Sequence, residues 1–295
     1  MRGPRRFFFF NLYESDRTGA GIAARARSLG SIDAYAASVG RWLVTRDGFD
    51  FLVYYLPDYD FASHAAGPDE AHDALARSDD AVAALMDAAG GRDAFLERYA
   101  VVLCADHGQT RIEHVARLQD SLDALPGVLV TASNRAAQAY RLPGAREEVD
   151  ELAARLDHAP SVGVVLYREG AEAVARRQGE ELRFAPEDGA WRTAGDAAIL
   201  GQPDALRRAW HALANPNAGE LLVSAAPGWE FSDLGGRHHL GGGSHGSLEA
   251  GDSLVPMLTV GVDAAIESIT DVMPAVLEHF GVEAPPYARD VARVA

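Results

Sequence analysis

Short apolar runs alternate with helical patterns along most of the chain, and this alternation restricts the fold more than any other feature. The runs are rich in aromatic or β-branched residues and lie at residues 7–13, 51–56, 99–104, 127–131, 162–167, 221–225 and 257–262. Helical patterns lie between most of them, at residues 31–44, 68–89, 147–156, 203–214 and 269–280. This order predicts an α/β fold with a largely parallel sheet flanked by helices, in which ligands bind beyond the carboxyl ends of the strands.

The stretch from 132 to 219 differs in character from its flanks. It is dense in Ala, Arg and Glu and has a β-α alternation of its own around residues 161–183. We therefore predict three parts: a core α/β part at 1–131, an inserted cap-like lobe at 132–219, and a second core part at 220–295. The first core part contains two clusters of metal-ligand residue types and the last contains a third.

Composition excludes several classes of protein. The 295 residues include 27 basic and 43 acidic ones, a net charge of −16, which argues against binding to a nucleic-acid backbone. A small anionic substrate stays compatible with this charge, since bound cations can dominate the electrostatic field of a local site.

The single Cys104 cannot form an internal disulfide, and no apolar run approaches the ~18 residues of a membrane span. The apolar run at the start stops at Asn11, too early for an export signal, so a cytoplasmic location is expected.

The first cluster of polar residues follows the run at 51–56. Asp60 and His64 are four positions apart, so a helical turn would project both side chains from one face. A carboxylate and an imidazole so placed suit a divalent transition metal, although a solvated loop whose Asp caps a turn has the same pattern.

The second cluster is Asp106-His107-Gly108, at the end of the run at 99–104. A turn at Gly108 would let both side chains reach one metal ion, and a simple turn with a hydrogen-bonded histidine is the alternative.

The third cluster, residues 241–247, is rich in glycine and contains His245. Glycine allows the backbone to approach a ligand closely and to direct this histidine inward. A phosphate-binding P-loop is excluded, because no lysine follows the glycines. His238 and His239, just upstream, are interpreted as surface-loop residues, with metal ligation by either as the less favoured alternative.

The three clusters together indicate two metal ions. A catalytic transition-metal site with one open position needs about three protein ligands, and a pair of such ions stabilises the entering and leaving oxygens of an in-line displacement at phosphorus. Asp60, His64 and His245 can supply one set, and Asp106 and His107 part of another.

The order and types of these residues resemble the alkaline phosphatase superfamily, most closely its type I phosphodiesterase/nucleotide pyrophosphatase branch. The resemblance implies a two-metal phosphoric ester hydrolase, with zinc as the expected metal and a small anionic phosphoester as substrate. It implies that one zinc is held by Asp60, His64 and His245 and the other by Asp106 and His107. The family's Thr or Ser nucleophile is expected upstream of Met1, so that this chain would be the C-terminal portion of a longer protein. Asp16 and Thr18 are the nearest pair within the chain.

Further roles and alternatives stay open at this point. Asn134 and Arg135 are candidate substrate contacts, and Asp58 or Asp252 either orients a ligand histidine or is solvated. A catalytically inactive metal-binding relative is one alternative. A mononuclear non-haem iron oxygenase is another, because Asp60, His64 and His245 have the composition of a facial triad.

Overall fold

The computed structural model describes residues 31–46, 49–122 and 125–286, which fall into two compact units. The first unit contains the described residues up to 62 together with 69–99, and the second contains 63–68 and the residues from 100 onwards. The predicted strand at 7–13 and the Asp16/Thr18 pair lie outside the described residues. The division of the chain at 132 and 219 stays a prediction.

The first unit is helical. Its helices are α1 (Ile32–Val44), most of α2 (Asp58–Ala66), a 3₁₀ turn (Asp69–Ala71), α3 (His72–Ala88) and α4 (Arg92–Arg98). Helix α1 begins after Ser31, whose hydroxyl accepts the N–H of Ala34, as an N-cap does. Gly40 lets α1 pack closely on α3, because a Cβ there would lie 2.9 Å from Leu85 Cδ1. The strand predicted at 51–56 is wrong: these residues form no strand.

A seven-stranded sheet dominates the second unit. Its strands are β4 (Val128–Ser133), β5 (Ala136–Arg141), β6 (Val162–Glu169), β7 (Glu172–Arg177), β8 (Glu180–Glu187), β9 (Ala190–Gly195) and β10 (Leu221–Ala225). They lie in the order β4-β5-β10-β6-β7-β8-β9, and every neighbouring pair is antiparallel. The chain does have an α/β fold, but this sheet is not parallel as predicted.

Tight hairpins explain the antiparallel pairing. Gln178-Gly179 joins β7 to β8 and Asp188-Gly189 joins β8 to β9, and all four residues have positive φ angles between 51° and 89°. Two-residue turns of this kind match the twist of antiparallel strands. The prediction failed because β6 is apolar from Val162 to Tyr167, a pattern typical of parallel strands that are covered on both faces. Here both faces of an antiparallel strand are covered.

The two faces of β6 contribute to two hydrophobic clusters. Val165 and Tyr167 belong to a cluster that includes side chains of α5 (Val149–Leu156) and of the 3₁₀ turn Leu118–Leu122. Val164 and Leu166 belong to the other, which includes side chains of α6 (Ala205–Leu213) and of the 3₁₀ turn Ala197–Leu200. The sheet therefore lies between two layers of helix, as burial of both faces requires.

Shorter elements surround this sheet. They are β1 (Val101–Cys104), β2 (Thr110–Arg111), β3 (His114–Ala116), β11 (Trp229–Phe231), β12 (Gly243–Ser244), α7 (Ala250–Ser253), β13 (Met257–Val260) and α8 (Ile269–His279). Strands β1 and β13, and β2 and β12, pair antiparallel, whereas β3 and β11 pair parallel. In the part of the chain that the structure describes, no helix is both long enough and apolar enough to span a membrane.

Candidate metal centre

Helix α2 carries the first cluster of candidate ligands. His64 lies in its last turn and Asp60 one turn earlier, so the predicted helical spacing of the pair is confirmed. His64 Nδ1 lies 2.8 Å from the carbonyl oxygen of Gly243, which can only accept a hydrogen bond. Nδ1 therefore carries the proton, and Nε2 carries the lone pair that a metal ion requires.

The glycine-rich segment approaches His64 closely. A Cβ on Gly242 would lie 2.0 Å from the His64 carbonyl oxygen, a distance that no side chain tolerates. Gly243 and Ser244 then pair with Arg111 and Thr110 as β12 and β2. Glycine at position 242 thus allows the contact that brings His245 into the neighbourhood of His64.

The second cluster lies in the loop between β1 and β2. The Asp106 carboxylate accepts the N–H of His107 at 3.1 Å, and its other oxygen is 3.6 Å from His107 Nε2. His107 Nδ1 lies 3.1 Å from the Gly108 carbonyl oxygen, which fixes the same tautomer as in His64. Asp106 and the Nε2 atom of His107 are therefore close enough to serve one ion together.

Imidazole rings from the three clusters lie side by side. The ring centroids of His107 and His245 are 3.5 Å apart with an interplanar angle of 11°, and those of His64 and His245 are 5.2 Å apart. The prediction that three remote stretches converge is thereby confirmed for these three histidines. Their role as metal ligands stays a prediction.

The β4–β5 turn supplies the two candidate substrate contacts, and they differ. Asn134 has a positive φ of 56°, and its Nδ2 lies 3.0 Å from His245 Nε2, so it orients the ring. Arg135 is only 1% exposed and forms an ion pair of 2.7 Å with Asp252. Its Nε and NH2 groups donate to the carbonyl oxygens of Trp229 and Ala226. This placement does not support Arg135 as a substrate contact, because the guanidinium is buried and occupied.

Asp252 connects the segments that carry His107 and His245. One carboxylate oxygen accepts from Arg135 and from the Thr110 hydroxyl, and the other accepts the N–H and hydroxyl of Ser247 at 2.8 and 2.6 Å. The backbone N–H of Gly108 donates to the Asp252 carbonyl oxygen at 2.8 Å. Asp252 is thus a buried structural acceptor and not a solvated carboxylate.

Asp58 is likewise buried, with 8% exposure. Its carboxylate accepts the N–H of Ile32 at 3.1 Å, and its own N–H donates to Asp33. Asp58 therefore joins α1 to α2 within the first unit, and the solvated alternative is wrong for it too.

His239 also lies beside the cluster, although the sequence favoured a surface-loop histidine over a metal ligand at this position. Its ring centroid is 4.0 Å from that of His64, and its Nδ1 lies 2.7 Å from the carboxylate of Glu230, whose side chain is 1% exposed. The signal in the sequence is the spacing of His239 and His245, which places both on one glycine-rich segment; the apolar neighbours of Glu230 on β11 also marked it as a buried acid.

Cys104 is the last residue of β1, two positions before Asp106. Burial raises the pKa of its thiol, and the nearby negative charge of Asp106 raises it further. The thiol therefore stays protonated at neutral pH.

Two kinds of comparison with known proteins gave matches. The family model for type I phosphodiesterase/nucleotide pyrophosphatase matches residues 19–248. A search of curated proteins gave no match.

Two solved structures have a similar fold. Phosphonoacetate hydrolase from Sinorhizobium meliloti 1021, in complex with phosphonoformate, superposes with a TM-score of 0.51 at 18% identity and covers 92% of the chain. Human ectonucleotide pyrophosphatase/phosphodiesterase 5 superposes with a TM-score of 0.53 at 17% identity and covers 87%. The chain spans 60% of the length of each of these proteins.

Proposed function

The chain belongs to the type I phosphodiesterase/nucleotide pyrophosphatase family, and we propose that its histidine cluster is the metal centre of a phosphoric ester hydrolase. The proposed reaction is hydrolysis of a small anionic phosphodiester or nucleotide pyrophosphate bond. The proposed cofactors are two divalent ions, with zinc as the expected metal. Asp60, His64 and His245 are the proposed ligands of one ion, and Asp106 and His107 those of the other.

The chemistry of the donor set fits such ions. Zinc is bound in proteins by imidazole nitrogens and carboxylate oxygens, and His64 and His107 both have Nδ1 bonded to a backbone carbonyl oxygen. A metal-binding histidine almost always donates its second ring N–H in this way, because the bond fixes the tautomer and the ring orientation. The His64 and His107 rings are therefore oriented for metal ligation through their Nε2 atoms.

Neighbouring side chains would hold the proposed metal ligands in position. When bound, the two ions would act as Lewis acids that stabilise negative charge on the entering and leaving oxygens. Asn134 holds the His245 ring through its side-chain amide. The Arg135–Asp252 pair fixes the backbone around His107 and His245. This rigidity is what metal-assisted catalysis needs, since misplaced ligands lose both affinity and rate.

One observation carries the proposal: the His107 and His245 rings, from two clusters 138 positions apart in the sequence numbering (245 − 107 = 138), stack at 3.5 Å. Rings from two remote stretches that lie this close provide neighbouring imidazole ligands for a metal centre. The iron oxygenase uses a single facial triad, so the additional pair Asp106 and His107 argues against it.

The test combines metal content with turnover. The chain is stripped with a chelator, reloaded with Zn²⁺, and assayed on bis(p-nitrophenyl) phosphate, with p-nitrophenyl phosphate as the monoester for comparison. We expect two zinc ions per chain; zinc-dependent release of p-nitrophenol from the diester would show in addition that a nucleophile is present. His64→Gln should lower both zinc affinity and turnover by at least about 100-fold, since it removes a ligand.

His279→Gln is the matched control, because His279 is exposed at the end of α8 and should leave both readouts unchanged. Zinc binding without turnover would favour the inactive metal-binding relative. Iron content with oxygen-dependent turnover would favour the oxygenase. Failure of the wild-type chain to bind any divalent transition metal would refute the proposed centre.

A further inference from the structure

A buried carboxylate fixes a fourth imidazole beside the three predicted histidines. Glu230, on β11, has a side chain that is 1% exposed, and it accepts three hydrogen bonds. These come from the N–H of His239 at 2.6 Å, from His239 Nδ1 at 2.7 Å and from the Ser244 hydroxyl at 2.9 Å. Because the carboxylate is the acceptor, Nδ1 carries the proton and Nε2 carries the lone pair of the ring.

The ring of His239 is turned toward the cluster but is not enclosed by the protein. It lies 4.0 Å from the His64 ring with an interplanar angle of 31°, and its side chain is 32% exposed. Within residues 31–46, 49–122 and 125–286, no hydrogen bond occupies its Nε2 atom. His239 therefore has one nitrogen anchored on a buried acid and one nitrogen available beside a proposed metal ligand.

We propose that His239 is a further metal-binding residue, whose Nε2 supplies a nitrogen ligand to a divalent transition-metal ion at the histidine cluster. Glu230 is its positioning residue, which fixes the tautomer and the orientation of the ring. This inference rests on the proposed function, because it requires an ion at that cluster.

The Glu230–His239 contact argues for ligation over a purely structural histidine. Burying a carboxylate is costly unless it is paired, and Ser244 together with one backbone N–H would leave part of its hydrogen-bonding capacity unused. An imidazole held by a carboxylate through Nδ1 is the arrangement found behind metal-ligating histidines. Neighbouring His238 shows the contrast: it is exposed, and its Nδ1 only accepts the N–H of Leu240 at 3.3 Å.

Metal titration of the complete chain tests this inference without reference to turnover. Chelator-stripped protein is titrated with Zn²⁺ in competition with a chromophoric chelator, and with Co²⁺ while its d–d absorption is recorded. We expect His239→Gln and His239→Asn to weaken zinc affinity by 10- to 100-fold and to change the Co²⁺ spectrum. Glu230→Gln should weaken affinity by a similar factor, as loss of a carboxylate behind a ligand does.

His238→Gln is the matched control from the same loop, and it should titrate like wild type. The melting temperature of each metal-free variant is measured alongside, so that a loss of affinity in a variant with an unchanged melting temperature is assigned to ligation. Wild-type zinc affinity and an unchanged Co²⁺ spectrum in both His239 variants would overturn the inference.

His64→Gln separates this inference from the proposed function. If His64→Gln loses affinity and the His239 variants do not, the proposed centre stands and His239 is no ligand. If the His239 variants lose affinity and His64→Gln does not, His239 binds metal but the proposed ligand set is wrong. If wild type binds neither Zn²⁺ nor Co²⁺, both proposals fail.

Discussion

Asp33 in the first unit and Asp252 in the second are both buried, but their carboxylates are stabilised in different ways. Asp33, in the first unit, is fully buried and accepts hydrogen bonds from the backbone N–H of Asp58 and from the Ser78 hydroxyl. Asp252, in the second unit, is 4% exposed and accepts from the Arg135 guanidinium as well as from neutral donors. Only the carboxylate near the histidine cluster has a buried cation as its partner.

The difference has consequences for protonation and rigidity. Burial raises the pKa of Asp33 above its ordinary value of 3.8, although its hydrogen bonds with Ser78 and Asp58 act in the opposite direction. Asp252, by contrast, neutralises a guanidinium that also donates to two backbone carbonyl oxygens. A carboxylate paired in this way connects several loops, whereas Asp33 on α1 is bonded to α2 and α3 through neutral donors.

The largest loss in the free energy of unfolding is expected from Asp252→Asn. This change leaves the Arg135 guanidinium buried without its counter-charge, and breaking such a pair costs about 3–5 kcal/mol. Urea unfolding of the two proteins at pH 7 measures the difference. Asp263→Asn, at an exposed position, is the control and should change the free energy of unfolding by less than about 0.5 kcal/mol. A loss for Asp252→Asn below about 1 kcal/mol would show that the ion pair is not structural.

An intermediate effect with a distinctive pH dependence is expected from Asp33→Asn. At neutral pH the cost should be about 1 kcal/mol, since the amide can still accept the Asp58 N–H. A raised pKa in the folded state means that Asp33 contributes stability below pH 3.8 and loses that contribution as the pH rises through its folded pKa.

The free energy of unfolding that wild type gains over Asp33→Asn should therefore decrease as the pH rises from about 3.8 through the folded-state pKa of Asp33. Urea midpoints measured for both proteins across the series give this difference. A difference that does not vary with pH would contradict the assignment of a raised pKa to Asp33.

The smallest loss of stability is expected from removing an exposed ion pair on the outer strands of the sheet. Arg183, on β8, forms an ion pair with Glu169, and both side chains are at least 36% exposed. Solvent screens such pairs, so Arg183→Gln should cost less than about 1 kcal/mol. Thermal unfolding at low and high salt checks this. A loss as large as that of Asp252→Asn would mean that burial does not determine the strength of ion pairs in this protein.

The elements with a strong local signal were predictable from the sequence. The apolar runs at β1, β4, β6, β10 and β13 are strands, and the patterns at α1, α3, α5, α6 and α8 are helices. The pairing direction was not predictable from apolar runs, because β6 is buried on both faces in an antiparallel sheet. The Asp188-Gly189 and Gln178-Gly179 pairs were the available signal for hairpins.

The convergence of His64, His107 and His245 was also predictable, since each follows a motif with metal-ligand residue types. The residues that position these histidines were not predictable. Arg135 looks like any other arginine in a sequence, and its burial depends on Asp252, 117 positions away. The apolar neighbours of Glu230 indicate a buried acid, but its pairing with His239 depends on the packing of β11 against the glycine-rich segment.

The bond between His64 and Gly243 joins residues that are 179 positions apart. Closing so long a loop carries a large entropic cost, and contacts of this sequence separation tend to form late in folding. We therefore expect the cluster to assemble only after most of the second unit has reached its native arrangement. Capture of zinc during refolding should therefore report the completion of folding and not its beginning.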